Sequence, residues 1–119
     1  MANHAVDTLL PLNGMTWHPL SGFPGIDVLT LADTLDETGK TGHRTRLVRF
    51  APGVETAAPL VHDYHEEAML LSGDLRGVQE ASNFGRFVEQ AYVHRAPGTP
   101  HGPIRSDNGC ILIEIQYYV

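Results

Sequence analysis

The stretch "VHDYHEE", residues 61–67, carries two histidines and two glutamates, and His101 stands far downstream in the turn-rich "APGTPHGP" of residues 96–103. Imidazole nitrogens and carboxylate oxygens are donor atoms for divalent iron, nickel, manganese and zinc. Two imidazoles and one carboxylate hold such an ion from one side and leave positions open for water, substrate or dioxygen. In a regular strand His62, Tyr64 and Glu66 point one way while Asp63, His65 and Glu67 point the other, so His62 and Glu66 can share a centre. His65 joins them only if the strand bulges. The same groups also suit a metal-free hydrogen-bonded cluster, because buried ionisable groups need either pairing or coordination. In that cluster, protons on the two histidines beside Glu66 would create ion pairs, and acid would strengthen the fold.

Other candidates are less pointed. Glu114 and Gln116 alternate with Ile111, Ile113 and Ile115 in "CILIEIQYYV", giving one apolar and one polar face. The polar face meets either solvent or a ligand cavity. Arg46 and Trp17 are candidates of the same kind. His4, His18, His43 and His94 have no metal-like spacing among themselves. The single cysteine, Cys110, excludes an internal disulfide. Its place in the strand-like "NGCILIEI" reads as a buried, inert thiol, since reactive thiols need an electropositive, exposed setting.

These residues must be positioned by short strands. "IDVLTLADT", "RTRLVRF", "EAMLLS", "QAYVHRA" and "CILIEIQYYV" alternate or run apolar, and "DETGKTG", "APG", "SGD", "SNFG", "APGTPHGP" and "SDNG" separate them. The separators are turn chemistry, rich in Gly, Pro, Asn and Asp. No apolar stripe of helical period persists, so the pattern predicts an all-β sandwich or barrel rather than βαβ units. With 119 residues the expectation is one domain over 1–119.

Together, His62, Glu66 and Gly73, followed by His101 after Gly98, resemble the cupin family. A cupin's first motif ends with a histidine, three or four residues, a glutamate, six residues and a glycine; its second separates a glycine from a following histidine by two residues. "WHPLSGFPGIDVLTL", "TRLVRFAPG", "EEAMLLSGDL" and "HGPIRSDNGC" look like successive blocks of one branch. That branch contains the cupin domain of zinc-dependent anti-sigma factors and dioxygenases that cleave acetylacetone or dihydroxyacetophenone. The match has departures. Leu60 occupies the place of a further histidine, Ala96 that of a proline, and Arg105 that of a frequent asparagine, where it alters the charge of the rim.

The resemblance implies a small double-stranded β-helix, a jelly-roll-like barrel, with His62, Glu66 and His101 as ligands of one divalent metal. Iron(II) is the expected ion, with zinc, nickel and manganese as alternatives. It also implies a dioxygenase acting on a small diketone, enol or phenolic ketone. Two alternatives stay open: a metal-dependent sensor or ligand-binding cupin without catalysis, and a metal-dependent isomerase, cyclase or decarboxylase in which Glu66 or a histidine moves protons. The anti-sigma factors carry a separate zinc-binding helical domain, for which 119 residues leave no room.

Fourteen acidic against eight basic residues, a net charge of −6, would repel phosphate backbones, so nucleic acid is not an expected partner. No apolar run approaches the roughly 18 residues of a membrane span. The start "MANHAVDTLLPLNG" lacks the basic residues of a secretory signal, which predicts a cytoplasmic protein. The apolar "ILIEIQYYV" and "VDTLLPL" suggest strand edges that a second copy would cover, and hence a homodimer.

Overall fold

The computed structural model describes residues 9–78, 86–87 and 90–119. The turn-like "SNFG" of residues 82–85, His4 and the first residues of "VDTLLPL" lie outside them. Ten strands follow one another among the described residues: β1 (His18–Pro19), β2 (Ile26–Asp33), β3 (His43–Phe50), β4 (Val54–Glu55), β5 (His65–Gly73), β6 (Leu75–Gly77), β7 (Arg86–Phe87), β8 (Tyr92–Arg95), β9 (Ile104–Ser106) and β10 (Cys110–Tyr117). No helix among these residues is long and apolar enough to cross a membrane.

The strands form two sheets, one ordered β1-β2-β3-β10-β5-β8 and one ordered β4-β9-β6-β7. The fold is therefore all-β and double-sheeted, but the expected barrel is not formed, because neither sheet closes on itself or on the other. The edges explain it. β1, β4 and β7 have two residues each, too short to carry a hydrogen-bond ladder round a corner, so the sheets pack face to face.

The chain passes between sheets at sharp corners. One lies at Gly73, between β5 and β6, with φ +83°; a Cβ there would come within 2.0 Å of the Gly109 carbonyl oxygen. Gly109, at the matching corner between β9 and β10, has φ +88°. Only glycine fits such backbone without strain, and close packing of the two corners excludes a side chain at Gly73.

Alternation along each long strand divides inside from outside. On β5, Glu66, Ala68 and Leu70 are buried while Met69 and Leu71 are exposed. Ile26, Val48, Phe50, Leu70, Leu75, Ile104, Cys110 and Leu112 form the core between the sheets. Cys110 is buried as expected, and burial raises its thiol above the ordinary value.

The pairing register sets inward residues of the large sheet in rows that cross it. Arg44, Gln116, Glu66 and Arg95 stand side by side on β3, β10, β5 and β8. One step along lie Arg46, Glu114, Ala68 and Val93. The next row, Val48, Leu112 and Leu70, is apolar throughout. Polarity thus changes between the second and third rows on β3 and β10, and one row earlier on β5 and β8.

Candidate metal centre

Glu66 is carried by the regular part of β5 and is buried. His62, which regular alternation placed on the same strand, instead belongs to the irregular segment before it, since β5 begins at His65. Several tethers hold that segment. Leu60 bridges His101 through paired backbone hydrogen bonds of 2.7 and 2.8 Å, and the Gly98 amide donates to the His62 carbonyl at 2.8 Å. The Tyr64 ring stacks on His62, with centroids 4.6 Å apart and planes 10° apart. Tyr118 donates to Asp63 at 2.7 Å, and Lys40 lies 3.4 Å from the same carboxylate. Leu60, standing where the family pattern has a histidine, contributes backbone that joins the two histidine-bearing loops.

These contacts bring one ligand-type atom each from His62, Glu66 and His101 within 4.8 Å of one another. His101 Nε2 and Glu66 Oε1 are 3.8 Å apart, beyond hydrogen-bonding reach, with their side chains 8% and 6% exposed. Two ligands bound to one ion at 2.0–2.2 Å stand about 3–4 Å apart, so that gap is the size an ion spans. Nδ1 of His101 is buried without a hydrogen-bond partner among the described residues, the Thr99 backbone making only a weak approach. The donor set therefore fits a divalent metal.

Electrostatics favour neutral imidazoles, the state that can coordinate. Burial, then Arg95 and His62, push His101 down to about 4. Burial also lowers His62, against the pull of Glu114. The cost of desolvating the imidazolium and the nearby Arg95 both disfavour protonation of His101, which runs against the expectation that acid strengthens a metal-free cluster.

Gln116, fully buried, organises the wall behind Glu66. Its Oε1 accepts from Arg44 Nε at 2.7 Å, which turns its amide nitrogen toward Glu66 Oε2, also at 2.7 Å. Arg46 Nε donates to Glu114 Oε1 at 2.9 Å, with both side chains about one-seventh exposed. Burial and Glu66 raise Glu114 above the ordinary carboxylate range, against the pull of Arg46. A cavity of about 300 Å³ opens between the sheets. Its polar end holds His62, Glu66, His101, Glu114 and Arg46, and its other end is lined by Phe23, Ile26, Phe50 and Leu75.

Residues 5–117 match the family described as the ChrR cupin-like domain. The chain belongs to this cupin family. No curated protein matches it significantly. Among solved structures, an acetylacetone dioxygenase from Acinetobacter johnsonii is 16% identical over 96% of this cupin and 76% of that chain, with a TM-score of 0.73. The polyketide cyclase RemF from Streptomyces resistomycificus is 14% identical over 94% of this cupin and 80% of that chain, with a TM-score of 0.73. A cupin sugar phosphate isomerase from Silicibacter pomeroyi is 19% identical over 94% and 76%, with a TM-score of 0.69. At such identities the likeness shows a shared fold and no particular branch.

The remaining candidates divide cleanly. Glu114 and Arg46 line the cavity of this cupin. Trp17 does not, its ring lying 4.2 Å from the Arg49 guanidinium carbon. His65 takes no part in the centre: its ring stacks on Tyr117, and its Nδ1 lies 3.1 Å from His94 Nε2. Arg105 is engaged with Asp107 at 2.8 Å and Glu55 at 3.6 Å on the smaller sheet. Arg44 and Arg95 were not singled out from the sequence, although both line the cavity. The alternation of "HRTRLVRF" was a signal for Arg44, because it puts Arg44, Arg46, Val48 and Phe50 on one face.

Proposed function

We propose that this cupin is a mononuclear metal-dependent enzyme, an iron(II) dioxygenase acting on a small diketone, enol or phenolic ketone. The observation that carries the reading is the convergence of His62, Glu66 and His101 at the polar end of a cavity whose other end is apolar. Similarity in fold to acetylacetone dioxygenases agrees with it. A bound divalent metal would supply Lewis acidity toward an enolate oxygen and, as iron(II), the activation of dioxygen.

The chain's own residues have separate tasks. His62 and His101 offer neutral nitrogen, and Glu66 offers Oε1 while Gln116 occupies its Oε2. Glu114, raised by burial and by Glu66, exchanges a proton with an enolisable carbon more readily than an ordinary carboxyl group. The apolar end receives the hydrocarbon part of the substrate and excludes water from it.

A second reading rests on that same Glu114. A carboxyl group able to hold a proton beside a metal centre also suits an isomerase or cyclase, activities carried by two of the structurally similar cupins. Elemental analysis of the purified protein, followed by oxygen-electrode assays across a panel of diketones, separates the two. Iron with diketone-dependent oxygen uptake supports the dioxygenase. Metal-dependent conversion without oxygen uptake replaces it with the second reading, and zinc without turnover overturns both in favour of a sensor.

A further inference from the structure

The whole chain is strongly acidic, yet three arginines, Arg44, Arg46 and Arg95, line its cavity together with Glu66 and Glu114 among the described residues. The chain has eight basic residues in all, so three of them face one small chamber. His62 and His101 add no charge when neutral. A divalent ion at the centre would add positive charge beside Arg44 and Arg46, and positive charge in a poorly hydrated cavity favours an anionic guest.

Arg44 and Arg46 also have capacity to spare. A guanidinium carries five N–H donors in a planar fork. Arg44 spends Nε on Gln116, and Arg46 spends Nε on Glu114. Arg46 meets Glu114 through a single bond rather than a bidentate pair, and no terminal nitrogen of either arginine is buried without a partner. Their forks therefore have access to the space of the cavity that they line. Planar forks of this kind bind carboxylates through two parallel hydrogen bonds.

We infer that the cavity has a second anchoring point, a carboxylate seat formed by Arg44 and Arg46, so that its ligand is an organic anion whose carboxylate is separate from its metal-binding oxygens. This rests on the proposed reading of the cavity as the place where a small organic molecule meets a metal. Arg44 and Glu66 occupy one row on strands separated by β10, so their backbones stand roughly 10 Å apart, and Arg46 lies one row further along. The long arginine side chains shorten that span. A ligand with about two or three carbons between its chelating group and its carboxylate fits the interval, with its hydrocarbon part toward Val48 and Phe50.

The test uses zinc-loaded full chain, which binds without turnover, and two probes: a 1,3-diketone bearing a carboxylate on a two-carbon arm, and the methyl ester of the same compound. Calorimetry should show the acid binding at least about tenfold more tightly than the ester. Arg46→Gln and Arg44→Gln should each remove most of that preference, read as the ratio of acid to ester affinity because Arg44→Gln also frees Gln116 and so weakens the binding of both probes at the metal. Because Arg46→Gln leaves Glu114 without its partner, Arg46→Gln/Glu114→Gln serves as the second variant, with circular dichroism to confirm the fold. Acid and ester binding equally to zinc-loaded protein would overturn the seat and leave the metal centre standing. Preference for the acid undiminished in all three variants would also overturn it. Repeating the titrations on chelator-treated protein separates the two ideas: an arginine-dependent preference for the acid in a chain that takes up no metal supports the seat and removes the metal reading.

Discussion

Gln116 donates to Glu66 at 2.7 Å from the neighbouring strand, and its own carbonyl is occupied by Arg44. The amide cannot turn over without losing both contacts, so Glu66 keeps Oε2 toward the wall and Oε1 toward His101. Replacing Gln116 with leucine should preserve much of the volume but release that carboxylate. We expect metal affinity to fall about 10- to 100-fold, read by competition with a calibrated chelator, while far-ultraviolet circular dichroism stays unchanged. Unaltered affinity would mean that Glu66 is oriented by something else.

His101 is the ligand candidate farthest in sequence from the other two. His101→Ala should abolish stoichiometric metal uptake, measured by elemental analysis after dialysis against zinc or iron. The backbone bridge between Leu60 and position 101 does not need the imidazole, so the variant should still fold. Full metal content in the variant would remove His101 from the centre.

Acid should destabilise the metal-free protein. His101 is held at about 4 when folded and titrates near 6.5 when unfolded. Between those values the unfolded chain binds the extra proton, so stability falls as pH drops through that window, and His62 acts in the same direction. For His101 the loss is on the order of 3 kcal/mol by pH 4. Thermal melts from pH 7.5 to 4 with a strong chelator should show a declining midpoint. Without chelator the midpoint should be higher at neutral pH, and the difference should shrink as protons displace metal. Coincident melts with and without chelator at every pH would count against a metal.

The outer face of the six-stranded sheet exposes Met69, Leu71, Tyr92 and Ile115. Register sets Met69 opposite Tyr92 and also opposite Ile113, making a continuous apolar strip. We propose that a second copy covers it. The basis differs from the one suggested by sequence, because β10 lies between β3 and β5 and has no open edge. Light scattering should give twice the 13.0 kDa of one chain, and Ile115→Lys should return the monomer. A wild-type monomer at micromolar concentration would refute the idea.

The strands at "IDVLTLADT", "RTRLVRF" and "CILIEIQYYV" were legible because period-two patterning and glycine-bearing turns act locally. The short β4, β6 and β9 were not, since two or three residues carry too little pattern. His62, Glu66 and His101 were picked out by their resemblance to the cupin motifs, and the fold brings them together although His62 lies outside the regular strand. The role of Gln116 depends on β10 lying between β3 and β5, a pairing between distant parts of the chain that no local pattern encodes. The open sheets escaped for a related reason: alternation gives each strand an inside and an outside but says nothing about which edges meet.

The common polarity boundary across β3 and β10 makes the large sheet a ruler. Successive inward positions lie about 6.8 Å apart along a strand, so the depth at which a guest must exchange oxygen for hydrocarbon is quantised rather than continuous. Converting Val48 and Leu112 to polar side chains would move that mark by one graduation, and altering one of the two strands alone would tilt it. Guest length could then be reset by whole rows while the Arg44, Gln116 and Glu66 row remained where it is.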